Sequence, residues 1–168
     1  MLPTLRQRPL IMFWNKKNPD LNKLGLGTGL KTQKEKWTVT EISNYDWGVD
    51  GRSVEYLLTS GDGREAYLEV ERFEGENEIY FSEVVPIERN ILEQAIKDAG
   101  IIFKDINFEL DEHYNGSFKN ETLMTSWRPV ESFLFYDLNE MMITIEVIEN
   151  TKFQAFYGKE ITENEIKF

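Results

Sequence analysis

The sequence predicts a mainly β protein: two related antiparallel meanders, packed as a sandwich or as paired small barrels, joined by one α-helix. Short runs of alternating apolar and polar residues, typical of half-buried strands, recur between glycine-containing turns. One segment has helical spacing, and two blocks of the chain repeat the same order of motifs. Packing the meanders together would bury strand edges that otherwise favour aggregation.

Composition narrows the classes of function. The chain has 168 residues, a net charge of −11 and no cysteine, which leaves no disulfide framework and no zinc–thiolate site. Residues 1–36 carry eight Lys or Arg against two acidic residues, whereas the remainder carries 11 Lys or Arg against 28 acidic residues. Nucleic acid binding needs a basic face, so the acidic body argues against that class of partner. No stretch reaches the roughly 18 apolar residues of a membrane span, which is compatible with the cytoplasm.

The first half of the chain is predicted to be a leader and a meander. Residues 1–24 hold three prolines and are expected to form a mobile basic leader, and residues 25–86 form the first meander. Period-two alternation predicts strands at 36–43, 53–60, 65–73 and 79–85. An aromatic loop at 44–51 and an Asp-Gly turn at 61–63 separate these strands.

The second half begins with the predicted helix. Across residues 87–100 an apolar residue recurs at every fourth position, with Pro86 before the segment and Gly100 at its end. Residues 101–168 form the second meander, with strands predicted at 105–110, 118–125, 130–136, 140–148 and 151–158. The Asn-Gly pair in 114–117 predicts a tight turn between the first two of these strands.

Three short matches relate the two meanders. They pair Val54-Glu55 with Val130-Glu131, Val70-Glu71 with Ile145-Glu146, and Tyr80-Phe81 with Phe156-Tyr157. Order and spacing both hold, and the small differences in spacing fall in turns, where insertions are tolerated. We therefore interpret the chain as a duplication.

Strand alternation assigns each meander an apolar side and an acidic side. The aliphatic residues predicted to form the core are Leu68, Val70, Ile143 and Ile145. The glutamates on the opposite side are Glu69, Glu71 and Glu146. Because carboxylates are seldom buried without a partner, we expect these glutamates to face solvent.

Tyr45, Trp47, Glu69 and Glu71 are the candidate ligand-binding residues. The two aromatic side chains of the 44–51 loop could stack on a ligand or hold a cation beside the acidic body. The alternative is an aromatic plug that closes a barrel end. Paired carboxylates could also catalyse hydrolysis, as in glycosidases, if two faced each other across a cleft. His113, the only histidine, is expected at a turn or on the surface, so no metal site is predicted.

The segment "LIMFWNKK" (10–17) is a candidate contact with a partner protein or an anionic membrane surface. Phe13 and Trp14 followed by Lys16 and Lys17 have the composition of an interfacial anchor. The alternatives are a docked leader and a disordered one. Met12 could also be the natural start of the chain, which would make residues 1–11 an upstream extension.

Several motifs together resemble an uncharacterised bacterial family, domain of unknown function 4178. They are "LGLGTGL" (24–30), "KWTVTEIS" (36–43), "VEYLLTS" (54–60), "AYLEVER" (66–72) and "ITIEV…FQAFYGKEIT" (143–162). The resemblance spans residues 24–168 and carries over no catalytic residue. Family members occur beside genes for membrane-stress proteins and for polyamine synthesis, which implies an accessory role near the membrane or near cationic metabolites.

The resulting expectation is a non-enzymatic cytoplasmic binding or scaffolding module, without a cofactor, that acts in a membrane or envelope-stress system, at most peripheral to the inner face of the membrane. One alternative is a binder of a cationic small molecule such as a polyamine, which the acidic body would attract. A second alternative is a carboxylate-dependent hydrolase.

Overall fold

The computed structural model describes residues 18–168, which form ten strands, one α-helix and three short 3₁₀ helices. The strands are β1 (Gly29–Thr32), β2 (Glu35–Asp46), β3 (Arg52–Ser60), β4 (Glu65–Phe73), β5 (Glu76–Val85), β6 (Gly100–Phe103), β7 (Ile106–Asn120), β8 (Arg128–Tyr136), β9 (Met141–Ile148) and β10 (Lys152–Ile161). Helix α1 spans Arg89–Asp98, and the 3₁₀ helices span Leu21–Lys23, Gly48–Asp50 and Glu163–Glu165. The predicted mainly β class, with one helix between two meanders, is confirmed.

Eight of the strands close into one antiparallel ring. Their order is β2-β3-β4-β5-β10-β9-β8-β7, and the end of β7 pairs with the end of β2. The two meanders therefore meet at two seams, β5–β10 and β2–β7. Strand β1 extends the sheet beside the start of β2, and β6 does so beside the start of β7. The sequence predicts either a sandwich or two small barrels, and the structure has a single ring formed by both meanders.

The outward face of each meander is apolar and has its own cover. On the first meander, Leu68 and Val70 pack in one cluster with Leu21, Leu24, Leu30 and Ile166, which come from residues 21–30 and from the segment after β10. On the second, Ile143 and Ile145 pack beneath α1 and β6, which contribute Leu92, Ala95 and Ile101. The four predicted core residues Leu68, Val70, Ile143 and Ile145 have no exposed surface, which confirms that prediction.

Helix α1 lies within the predicted segment 87–100. Its buried side chains are Leu92 and Ala95, one turn apart, which belong to the predicted apolar stripe. The helix ends at Ala99, whose left-handed backbone (φ 54°) turns the chain directly into β6. No helix within residues 18–168 combines the length and apolar character needed to cross a membrane.

The end of the predicted leader is docked on the first meander. Leu21 and Leu24 are buried, and the hydroxyl of Tyr56 on β3 lies between them. It donates to the Leu21 carbonyl oxygen (2.8 Å) and accepts from the Leu24 N–H (3.1 Å). Residues 21–24 are therefore part of the fold, whereas the sequence assigns them to a mobile segment.

Replacing Tyr56 with phenylalanine should destabilise the protein by about 1–3 kcal/mol, because it leaves the buried Leu21 and Leu24 backbone groups without their partner. Urea unfolding measures the loss. Tyr157→Phe is the matched control, since the Tyr157 hydroxyl has no hydrogen-bond partner in the described chain. Equal effects of the two substitutions would show that the Tyr56 bridge does not contribute.

The predicted turn at 114–117 is wrong, because these residues lie inside the continuous strand β7. Gly116 marks a close approach of backbones instead of a turn. A Cβ at this position would lie 2.5 Å from the Asp46 carbonyl oxygen and 2.6 Å from Trp47 Cε3. Similarly, the predicted loop 44–51 begins as strand, because β2 continues to Asp46.

Candidate functional site

The acidic sides of the two meanders face each other inside the ring. Glu55 and Glu146 are 9% and 5% exposed, and Glu69 and Glu71 are partly buried. The prediction that Glu69, Glu71 and Glu146 face solvent is therefore wrong. The prediction assumed that the polar side of each strand faces solvent. Closure of the ring instead turns the polar side of both meanders inward, and other segments cover the apolar side from outside.

Tyr45 connects the two most buried glutamates. Its hydroxyl lies 3.3 Å from Glu55 Oε1 on β3 and 3.4 Å from Glu146 Oε2 on β9, on opposite sides of the ring. A phenol has one proton to donate, so it can donate to only one carboxylate at a time. A protonated carboxyl on the other side can donate back to the Tyr45 oxygen, which satisfies both contacts.

A second hydrogen-bond chain reaches Glu69. The Trp47 indole N–H donates to Ser53 Oγ (3.1 Å), and the Ser53 hydroxyl donates to Glu69 Oε1 (2.6 Å). The Trp47 ring also stacks on Tyr45, with centroids 5.2 Å apart. Both aromatic side chains are buried, at 3–4% exposure. Their burial agrees with the interpretation as an aromatic plug. The contacts of Tyr45 with Glu55 and Glu146 also agree with the interpretation as part of a ligand site.

A small cavity lies beside these groups. It offers about 20 Å³ to the centres of water-sized groups, and Trp47, Glu69, Glu71, Tyr80 and Tyr114 are among its lining residues. That volume is enough for about one water molecule.

Glu71 lines the cavity, and the charges of Glu78, Glu112 and Asp50 act on it from nearby; we call these four carboxylates the acidic mouth. Two tyrosines contact the acidic mouth: Tyr114 donates to Glu112 (2.8 Å) and Tyr80 to Glu78 (2.9 Å).

Burial raises the pKa of every glutamate inside the ring. The pKa of Glu146 is raised to about 7 by burial, although Tyr45 and the more distant Lys152 favour its ionised form. Burial and the charge of Glu146 raise the pKa of Glu69 to about 7, against the hydrogen bond from Ser53. Burial and the charges of Glu146 and Glu69 hold the pKa of Glu55 well above its usual range.

The same pattern extends to the mouth. Burial, followed by the charges of Glu69, Glu78 and Glu112, raises the pKa of Glu71 to about 8. Burial and the neighbouring Glu146 and Glu55 also raise the pKa of Tyr45. Near neutral pH these carboxyl groups are therefore partly protonated, and a positive charge placed among them would favour release of the remaining protons.

None of the four glutamates forms an ion pair within residues 18–168. The ion pairs of Lys and Arg side chains in this range are formed with carboxylates other than these four, which lie outside the ring interior. No group of three or more His, Asp or Glu in the described range is arranged to hold a metal ion. The four inward glutamates thus have no ion-pair partner among the described residues.

The structure brings all four candidate ligand-binding residues together: Tyr45, Trp47, Glu69 and Glu71 line or adjoin one cavity. Sequence analysis missed Glu55 and Ser53, although Glu55 follows the same alternation as Glu69. The second candidate set, Phe13, Trp14, Lys16 and Lys17, lies outside the described residues. His113 lies on the exposed surface of β7, where it contacts Glu131 (3.1 Å) and stacks on Phe133.

Comparison with known proteins identifies the family of the chain. No curated protein and no solved structure matches it. The family model described as domain of unknown function (DUF4178) matches residues 25–163, which include the whole ring and every residue of the acidic interior. The chain therefore belongs to the DUF4178 family.

Proposed function

We propose that the protein is a non-enzymatic binding module that holds a protonated amine in the acidic end of its ring, with polyamines as the candidate class. The observation that supports this proposal is the set of four inward glutamates without a Lys or Arg partner in residues 18–168. Buried carboxylates are normally paired, because an isolated buried charge is costly. An ammonium group supplied by a ligand would complete that pairing.

The size of the cavity favours an amine over the substrates of a hydrolase. About 20 Å³ admits one water-sized group, and the head of a primary alkylammonium is of that size. A sugar ring is several times larger, so two of these carboxylates cannot flank a glycosidic bond in this form of the ring. The carboxylate-dependent hydrolase is thus the less favoured alternative.

The residues around the cavity suit recognition of an alkylammonium head. Its three N–H donors match the carboxylate oxygens of Glu69 and Glu71, and the faces of Trp47, Tyr80 and Tyr114 offer cation–π contacts. A linear chain with further ammonium groups would extend past the acidic mouth, where Asp50, Glu78 and Glu112 lie. This arrangement favours a polyamine over a compact monovalent cation.

Spermidine should stabilise the protein saturably at physiological salt, and Glu71→Gln should weaken its binding about tenfold or more, because a charged hydrogen bond is lost. Glu83→Gln is the matched control, since Glu83 is an exposed glutamate of β5. Isothermal titration calorimetry gives the affinity of each variant. Glu71 is the better test position because it lies at the partly exposed edge of the interior.

Two further ligands separate specific binding from charge screening. Magnesium at matched ionic strength tests for a general response to cations, and tetramethylammonium tests for the size limit, because it has no N–H donor and exceeds the cavity. The proposal requires spermidine to bind and stabilise the protein under conditions in which magnesium and tetramethylammonium do not. A wild-type response to magnesium equal to that to spermidine, or equal affinities of Glu71→Gln and Glu83→Gln, would contradict it.

A further inference from the structure

Three lysines occupy directly opposed positions near the start of β2, whereas Tyr45 of the acidic interior lies near the other end of that strand. Lys31 of β1 is the cross-strand partner of Lys36 in β2. On its other side Lys31 pairs with Lys167, through backbone hydrogen bonds of 2.7 and 3.0 Å. We call Lys31, Lys36 and Lys167, with Lys34 in the adjoining turn, the lysine patch.

The side chains of the three opposed lysines lie on one face. Each is exposed and is flanked in sequence by a buried residue of the first core: Leu30 before Lys31, Trp37 after Lys36, and Ile166 before Lys167. Directly opposed residues have Cβ atoms about 5 Å apart, so three ammonium groups can converge on one small group. In residues 18–168 none of the patch lysines forms an ion pair.

Without a bound anion, the close approach of the patch lysines is electrostatically unfavourable. Like charges directly opposite each other on a sheet repel, and a chain with 30 acidic residues has ample means to alternate signs at these positions. The nearby carboxylates have other partners: Glu35 pairs with Arg64, and Glu165 accepts from the Thr162 N–H and from Gln33. The patch lysines therefore lack a direct ion-pair partner among the described residues, and the carboxylate that lines the same cavity, Glu165, accepts its hydrogen bonds from neutral groups.

An open cavity of about 540 Å³ lies at the patch. Lys31, Lys34 and Lys167 line it together with Thr32, Gln33 and Glu165. Thr32 is 2% exposed, and its hydroxyl oxygen has no hydrogen-bond partner among the described residues. A buried hydroxyl without a partner is unusual, but Thr32 alternates with Lys31 and shares the buried side of β1 with Leu30, so the lysines alone carry the argument for an anion.

We propose that the lysine patch binds a phosphate-bearing anion. Phosphate offers several strong acceptor oxygens to lysine donors, and its negative charge would relieve the repulsion between Lys31, Lys36 and Lys167. The same chemistry occurs in a free phosphate compound and in the headgroup of an anionic lipid. This site is separate from the amine site and has the opposite charge preference.

The test compares two double variants of the full chain that remove the same charge. Lys31→Gln/Lys167→Gln removes two patch lysines, and Lys97→Gln/Lys104→Gln removes two lysines from the end of α1 and the β6–β7 turn. Binding is measured with inorganic pyrophosphate by calorimetry and with vesicles of phosphatidylglycerol in phosphatidylcholine by flotation. We expect the patch variant to bind about 30-fold more weakly and the control variant to bind like wild type. Relief of repulsion should also leave the melting temperature of the patch variant at or above that of wild type at low salt.

The two probes identify the source of the phosphate. Patch-dependent binding of pyrophosphate alone indicates a free anion, and patch-dependent binding of vesicles alone indicates a lipid headgroup; either supports the proposal. Equal losses in the two double variants, or no wild-type binding of either probe, would overturn it. If the double variant does not fold, Lys36→Gln provides the same comparison against Lys97→Gln.

Discussion

Replacing Gly158 with alanine should destabilise the protein by about 3 kcal/mol or more, the upper end of the range for overpacked positions. Gly158 lies on β10 opposite Ser82 of β5, at one of the two seams that join the meanders. A Cβ there would lie 2.6 Å from Ser82 Cβ and still closer to the Phe81 carbonyl oxygen. Backbone atoms cannot move aside as a flexible side chain can, so the seam would have to open.

Gly61→Ala is the matched control for this prediction. A Cβ at Gly61 meets no atom within 4 Å, so we expect a change within about 0.5 kcal/mol. Urea unfolding gives both values, and the melting temperature of Gly158→Ala should fall by about 6–12 °C. A loss below about 1 kcal/mol for Gly158→Ala would mean that the seam adjusts easily and that glycine is not required for closure.

The two seams also explain what sequence analysis could and could not predict. Alternation correctly identified Leu68 and Val70 as core residues, because the period of a strand is local information. Alternation separates the two sides of a strand but does not show which side meets water. That depends on closure at β5–β10 and β2–β7, between residues far apart in the chain, and Gly116 and Gly158 permit the close approach at each seam.

The internal repeat likewise does not show which side of each strand lies inside the ring. Ile145-Glu146 has the orientation of Val70-Glu71, with the glutamate inside the ring. In β8, however, Val130 packs with Tyr45 inside the ring, whereas its proposed counterpart Val54 packs in the outer core. A shift of one residue reverses the sides of a strand. Short motif matches could therefore locate the strands, but they could not fix which side of each strand lines the site.

The sequence predicted the residues of the candidate site but not their burial, because it does not show which side of a strand lies inside the ring. Tyr45, Trp47, Glu69 and Glu71 were identified from residue type, and the structure places them at one cavity. Their burial was not predictable, because single carboxylates on a strand are usually solvated. A signal was nevertheless present in Glu55, Glu69 and Glu146, which all follow the alternation of strands whose other side is strongly apolar.

The stability of the protein should fall as the pH rises from about 5 to about 8.5. The pKa values of Glu69 and Glu146 in the folded state are about 7, and that of Glu71 is about 8, whereas an unperturbed glutamate has a pKa of 4.5. The folded state therefore binds more protons than the unfolded state between these limits. This contribution is fully present below the unfolded pKa and is lost as the pH rises through 7 to 8.

Glu146→Gln should flatten this dependence. Glu146 is 5% exposed, and a pKa raised from 4.5 to about 7 corresponds to a cost of ionisation on the order of 3 kcal/mol. Glutamine keeps the size of the side chain and a hydrogen bond to Tyr45, but it cannot ionise. We expect the variant to be more stable than wild type at about pH 8.5, with Glu83→Gln following the wild-type profile. Parallel profiles for Glu146→Gln and wild type would show that Glu146 does not hold a proton in the folded state.

A cationic ligand should oppose the loss of stability at high pH. An ammonium group binds the ionised carboxylates, so its affinity increases as protons leave Glu69, Glu71 and Glu146, and binding below pH 7 must release protons. Spermidine should thus raise the melting temperature of wild type more at about pH 8.5 than at pH 5.5, and calorimetry in two buffers of different ionisation enthalpy should detect the released protons near neutral pH. Stabilisation by spermidine that is equal at both pH values, and equal in wild type and Glu71→Gln, would contradict binding at the cavity, because Glu71 lines the cavity and loses its proton over this interval.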